Sequence, residues 1–84
     1  MNNNNNIIIS SPFDGGGNDN YLEECDAIKY CLDLLEKRIP TFIAEKVQLR
    51  TVYASYTRFA GFDSDGRELY DTFIKGTVTL VYLR

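Results

Sequence analysis

Residues 46–84 read KVQLRTVYASYTRFAGFDSDGRELYDTFIKGTVTLVYLR, and this stretch decides the fold. It is rich in β-branched and aromatic residues, which favour strands, on both sides of Asp65-Gly66. Asp-Gly is the strongest short signal for a two-residue type I′ turn, because both residues tolerate the positive φ angles that this turn requires. The stretch therefore predicts one long antiparallel β-hairpin with arms 46–62 and 68–84.

A turn centred on Asp65-Gly66 also predicts the register of the hairpin. It pairs Leu49 with Tyr82 and Thr51 with Leu80. Most apolar side chains of the two arms then fall on one face, whereas a slip of one residue would scatter them over both faces.

The segment before the hairpin predicts an amphipathic helix from Asn20 to Ile39. Asn20 is a good N-cap, Glu23 completes a capping-box pattern, and Pro40 ends the helix. The predicted buried stripe, with steps of three and four residues, consists of Tyr21, Cys25, Ile28, Leu32, Leu35 and Ile39. Cys31 is expected to flank this stripe, and both cysteines are expected to be free thiols, because residues six apart on a helix are too far apart to bridge.

The N-terminal part is less regular. A run of asparagines at 2–6 predicts a solvated tail, and the glycines at 15–17 predict a loop. Residues 7–9, three isoleucines, are either a short strand or an apolar arm that docks on a partner. The predicted fold is therefore α+β, in the order β-α-β-β with the first strand optional. Residues 1–18 would form an arm and loop, and residues 19–84 a single domain.

The predicted hairpin is too long for its helix. Arms of about 16 residues span about 50 Å, whereas a helix of about 20 residues spans about 30 Å. In addition, the second face of the hairpin mixes apolar and cationic side chains, and the predicted register opposes Arg58 to Phe73 and Tyr56 to Lys75, which suits cation–π contact. We therefore expect a protein-binding surface, with the candidate residues Ile7, Ile8, Ile9, Tyr56, Arg58, Phe73, Lys75, Val81 and Leu83.

Composition argues against several function classes. The net charge is −3 and the basic residues are scattered, which disfavours nucleic acid and anionic membranes as partners. The chain has no histidine, which excludes a histidine-based triad and histidine-ligated zinc. The sequence contains no recognisable catalytic, cofactor or metal motif, no signal peptide and no transmembrane stretch. We expect a non-enzymatic protein without cofactor or metal.

The prediction is a small interaction or assembly subunit, a homo- or hetero-oligomer acting through a sheet face or edge. The asparagine-rich composition suggests a phage or viral component, located in the cytoplasm or the virion. One alternative is a small-ligand-binding oligomer, because the order strand, helix, long hairpin resembles the topology of the dodecin-type flavin-storage fold, although no motif is shared. Another is an inhibitor of a partner enzyme.

Overall fold

The structure is a computed structural model that describes residues 5–18 and 20–84. Its elements are β1 (Ile7–Asp14), α1 (Glu24–Arg38), a 3-10 turn (Ala44–Lys46), β2 (Val47–Phe62) and β3 (Glu68–Tyr82). The strands form one antiparallel sheet in the order β1-β3-β2. The predicted α+β fold, with a long hairpin packed against one helix in the order β-α-β-β, is confirmed.

β1 decides between the two alternatives for the isoleucine segment, because residues 7–9 belong to a strand. Buried and outward side chains alternate along β1, and Ile7, Ile9 and Phe13 lie in the core. The predicted tail begins outside the described residues, since Met1–Asn4 are not among them. The division into an arm 1–18 and a domain 19–84 stays a prediction.

The predicted start of the helix is wrong by four residues. The N–H of Asp14 donates to the carbonyl of Leu22 at 2.8 Å, and Leu22 bridges Phe13 in parallel. This pairing holds Leu22 extended along the outer edge of β1, so the helix starts only at Glu24. The N-cap is Glu23, without a side-chain capping bond, and not Asn20.

The predicted buried stripe is also displaced. α1 turns Ala27, Cys31 and Leu35 towards the sheet, and each is fully buried. Cys25 is exposed instead. The prediction that Cys25 is buried and Cys31 flanks the stripe was therefore wrong. The expectation of free thiols is confirmed.

The register of the hairpin differs from the prediction by two residues. Leu49 faces Leu80, and the turn is a loop at 63–67. In this loop only Gly66 has a positive φ, 79°, and the carboxylate of Asp63 accepts N–H bonds from Asp65 and Arg67, both at 2.9 Å. This loop is not a two-residue type I′ turn. A shift by two residues leaves the side chains from Val47 to Phe59 on their predicted face, because the side-chain period of a strand is two.

The molecule is long and narrow, with principal extents of 64 × 26 × 21 Å. Its radius of gyration is 17.8 Å, against about 12 Å for a compact chain of this length. α1 packs on β1 and β3 at the end of the sheet that contains Val78, Leu80 and Tyr82. The other half of the hairpin extends beyond the core, and no element formed by residues 5–18 or 20–84 packs over it as a layer. Within the described ranges, no helix has the length and apolarity to cross a membrane.

Candidate protein-interaction surface

Three exposed aromatic side chains meet at the far end of the hairpin. Phe59, Phe62 and Tyr70 are 55%, 64% and 55% exposed. The ring centroids of Phe59 and Phe62 are 5.3 Å apart, and those of Phe59 and Tyr70 are 5.8 Å apart, both edge to face. We call these three residues the tip cluster. They lie on the same face of the sheet as the helix, but beyond it.

A β-bulge creates the tip cluster. Residues three apart in a regular strand, such as Phe59 and Phe62, point to opposite faces. The register shifts between Phe59 and Gly61, and Gly61 has a φ of 113°, which favours glycine. The extra residue returns Phe62 to the face of Phe59. The sequence-based interpretation missed this cluster, although a glycine inside a strand pattern is a signal for a bulge.

Three more exposed apolar side chains lie on this face, between the tip cluster and the end of the hairpin that α1 covers. Tyr53, Leu49 and Ile74 lie on the same face and are 60%, 46% and 41% exposed. Together with the tip cluster they form what we call the helix-side stripe. α1 leaves this stripe open because it packs over β1 and β3, whereas the stripe follows β2 and the far part of β3. On this face the pair Thr57 and Thr72 lies between Ile74 and the tip cluster. Several large apolar side chains exposed on one face of a small protein are typical of an interaction site.

The charge around the tip cluster is acidic. Between residues 58 and 71 the chain carries four carboxylates and two arginines, namely Asp63, Asp65, Glu68, Asp71, Arg58 and Arg67. The hydroxyl of Tyr70 donates to Oε2 of Glu68 at 2.5 Å, and this bond raises the pKa of Tyr70. An acidic rim repels phosphate, so it disfavours contact of the tip cluster with a nucleic acid or an anionic membrane.

The opposite face contains the residues that the sequence indicated. The guanidinium carbon of Arg58 is 5.7 Å from the ring centroid of Phe73, and Nζ of Lys75 is 5.5 Å from that of Tyr56. Both predicted cation–π pairs are therefore present, but as diagonal neighbours. In the actual register Tyr56 lies opposite Phe73, with the ring centroids 5.7 Å apart.

Several side chains of this second face form hydrogen bonds within the chain, with the loop that follows β1. Oδ1 of Asp14 accepts from the hydroxyl of Tyr56 at 2.5 Å and from the N–H of Gly16 at 2.9 Å. Arg58 donates to the carbonyl of Gly16 at 2.6 Å. The bond from Tyr56 is the main cause that lowers the pKa of Asp14, and the same bond raises the pKa of Tyr56. These side chains therefore have a structural role within the chain.

The remaining predicted site residues are spread out. Ile7 and Ile9 are buried in the core beneath α1, whereas Ile8 points outward and is 63% exposed. Ile8 lies opposite Val81, which is half-buried, and Leu83 is 37% exposed. The structure therefore does not join the nine predicted residues into one surface.

The two edges of the sheet differ. The edge of β1 contains Pro12, which has no N–H, and its end is occupied by the bridge to Leu22. β2, with 16 residues, lies at the other edge, and among the described residues nothing pairs with its outer side. Its part from Val47 to Phe59 contains no proline, lysine or bulge, three devices that protect an edge strand from pairing, and its charged residues are Arg50 and Arg58.

Two further features of the surface have the form of a binding site. Glu23, Cys25 and Asp26 place one ligand atom each within 4.8 Å of one another, but all three are exposed, as acidic helix starts commonly are. An open groove of about 670 Å³ lies between the loop after β1 and the middle of the hairpin. Its lining includes Phe13, Tyr21, Tyr53 and Lys75.

The chain matches no protein-family model, and no significant match to it was found among the curated proteins or the solved structures.

Proposed function

We propose that this chain is a non-catalytic interaction or assembly subunit, which binds protein through the helix-side stripe of its projecting hairpin. The observation that carries the proposal is the tip cluster. Its three aromatic side chains are each more than half exposed, on a part of the hairpin that the helix does not reach.

The energetics of the stripe favour this role. Fully burying a large apolar side chain contributes about 1.5–3 kcal/mol, so covering the exposed part of each ring of the tip cluster would contribute about 1 kcal/mol. A long arm of this kind adds little to the stability of the chain itself, since its apolar side chains remain in water. A binding role would account for the exposed apolar side chains on the projecting half of the hairpin.

The acidic rim narrows the class of partner. Its charge favours a neutral or basic protein surface, in agreement with the overall charge of −3. A structural or accessory component of a phage or virus remains the specific version that the composition suggests.

The test uses sedimentation to compare the size of the assembly formed by the wild type with that of a Phe59→Ser/Phe62→Ser variant, each measured in extract of the expressing cells and as pure protein. Wild type is expected well above its 9.6 kDa monomer mass, and the variant is expected to lose that association. Tyr30→Ser is the matched control, because Tyr30 is a 47% exposed aromatic residue on the helix. A wild type that sediments as a monomer in cell extract and in pure form at high concentration overturns the proposal. Circular dichroism establishes that the variant is folded.

The groove supports a second candidate, a small-ligand-binding oligomer. Its volume of about 670 Å³ lies within the range of small-molecule sites, about 300–1,000 Å³, and Tyr21 and Tyr53 offer rings for stacking. An absorbance spectrum of the purified protein and its thermal shift with added flavin test this candidate. A colourless preparation without a thermal shift counts against it, and Tyr53→Ser should abolish any shift that is seen.

A further inference from the structure

We propose that the partner of the hairpin is a second copy of this chain, paired side by side and antiparallel through the free edge of β2. The two sheets would become one continuous sheet around a two-fold axis near Tyr53. This inference rests on the proposed function, since it names the partner of the helix-side stripe.

The edge of β2 is suited to this pairing. From Val47 to Phe59 the strand is paired with β3 without a bulge, so its outer edge presents a regular row of backbone donors and acceptors. α1 lies over β1 and β3, so the helices of two copies would not meet at this edge. An antiparallel pair of identical strands is self-complementary and closes as a dimer.

The charge distribution selects the antiparallel direction. The tip of the hairpin is acidic, as described above. The opposite end of the long axis, where the helix ends and β2 begins, is basic, with Lys37, Arg38, Lys46, Arg50 and Arg84 against Glu36 and Glu45. Antiparallel pairing of two β2 strands brings the acidic tip of each copy beside the basic end of the other. A parallel arrangement would place like charges together.

The positions of the two arginines of β2 narrow the register. An axis at Ala54 would place Arg50 directly opposite Arg58 of the other copy, and like charges in that position are destabilising. An axis at Tyr53 places Arg50 opposite Tyr56, which suits cation–π contact. On the helix side, the same register places Val47 opposite Phe59, so the second copy covers part of the tip cluster.

The first experiment uses disulfide trapping of the purified full chain. In a Cys25→Ser background, which removes the exposed native thiol, Tyr53→Cys places the new thiol on the proposed axis. Directly opposite residues in an antiparallel pair have Cα atoms about 4.5–5.5 Å apart, within the range of a disulfide. Rapid formation of a covalent dimer is expected. The control is Gln48→Cys, on the same strand. In the proposed dimer residue 48 lies far from residue 48 of the other copy, so this variant should not form a covalent dimer.

The second experiment exchanges charges between the two ends. Lys46→Glu and Asp65→Lys should each weaken the dimer by about twofold to threefold, since each turns a longer-range attraction between the two ends into a repulsion at both symmetric positions. The double variant should restore the wild-type affinity, and salt should weaken the wild-type dimer. Sedimentation equilibrium measures the dissociation constants, and circular dichroism establishes that the variants are folded.

The outcomes separate this inference from the proposed function. A pure protein that stays monomeric, or equally fast crosslinking at residues 53 and 48, overturns the antiparallel dimer. If the chain still sediments as a large assembly in cell extract, and Phe59→Ser/Phe62→Ser still abolishes that assembly, the interaction function stands with a different protein as the partner. If the assembly in extract is also absent, both proposals fail.

Discussion

The hydroxyl of Tyr56 donates a hydrogen bond of 2.5 Å to Oδ1 of Asp14, and this contact joins the two outer strands across the central one. Asp14 is the last residue of β1 and Tyr56 lies in β2, while Lys75 of β3 lies opposite Asp14 and places its ammonium 5.5 Å from the ring of Tyr56. The bond fixes the loop after β1 against the hairpin. It lies where the part of the sheet covered by α1 gives way to the projecting half of the hairpin.

Replacing the phenol should reduce stability in a pH-dependent way. Because the bond lowers the pKa of Asp14 below 3.8, its contribution is present above that value and is lost as the pH falls through the folded-state pKa. Because the bond also raises the pKa of Tyr56 above 10.0, the contribution is lost again as the pH rises through that raised value. Tyr56→Phe should therefore unfold at lower urea concentration near neutral pH, and the difference from wild type should shrink towards both extremes.

NMR titration of the same variant checks the cause, because the pKa of Asp14 should rise towards its ordinary value. Tyr30→Phe is the control, since Tyr30 is an exposed tyrosine on α1. A constant difference between Tyr56→Phe and wild type at all pH values would contradict the assignment.

The bulge at Gly61 should be sensitive to any side chain. A φ of 113° is a conformation that residues other than glycine rarely adopt, so Gly61→Ala should cost about 1–3 kcal/mol of stability or remove the bulge. In the second case Phe62 would leave the tip cluster, and its ring contacts with Phe59 would disappear from NOE spectra. The neighbouring Ala60→Ser, measured by the same urea unfolding, should change stability by less than about 0.5 kcal/mol. Equal stability and unchanged ring contacts in Gly61→Ala would refute this account.

The two cysteines should differ in reactivity and in their contribution to stability. Cys31 is fully buried between α1 and the sheet, and this burial raises the pKa of its thiol. Cys25 is exposed. A thiol reagent should modify Cys25 at once and Cys31 only on unfolding. Cys31→Ser should cost about 1–3 kcal/mol because it buries a hydroxyl, while Cys25→Ser should be nearly neutral. Fast labelling of both thiols in the native protein would contradict the burial of Cys31.

Gly76 should tolerate no side chain. A Cβ at this position would overlap the backbone oxygen of Val52 and lie 2.7 Å from Cα of Tyr53. Gly76→Ala must therefore push β2 away from β3 and should cost about 1–3 kcal/mol in urea unfolding. Thr72→Ala, at an exposed position of the same strand, should cost less than about 1 kcal/mol. A fully stable Gly76→Ala protein would mean that the two strands are less closely packed.

Local sequence patterns predict much of the fold. The two arms of the hairpin, the helix in front of them and the α+β class follow from strand propensity, helical periodicity and Pro40. The cation–π partners of Tyr56 and Phe73 were also found, because a register error of two residues keeps side chains on their faces. The turn type was missed because the side chain of Asp63 organises the loop, and a dipeptide signal does not reveal that contact.

The candidate surface was less predictable. The bulge moves Phe62 to the helix side, and a pattern of period two assigns this residue to the wrong face. The start of α1 was misplaced because Leu22 pairs with β1, which is a contact between segments that helix periodicity does not contain.

The sequence by itself determined which segments become strands and helix, since these depend on backbone preferences and on the spacing of apolar residues along the chain. Only the tertiary structure decided where the helix lies along the hairpin. That position depends on how Ala27, Cys31 and Leu35 fit over β1 and β3, and it leaves Phe59, Phe62 and Tyr70 in water. Burial is a property of contacts between distant parts of the chain, so the exposed stripe emerges only when the elements are packed together.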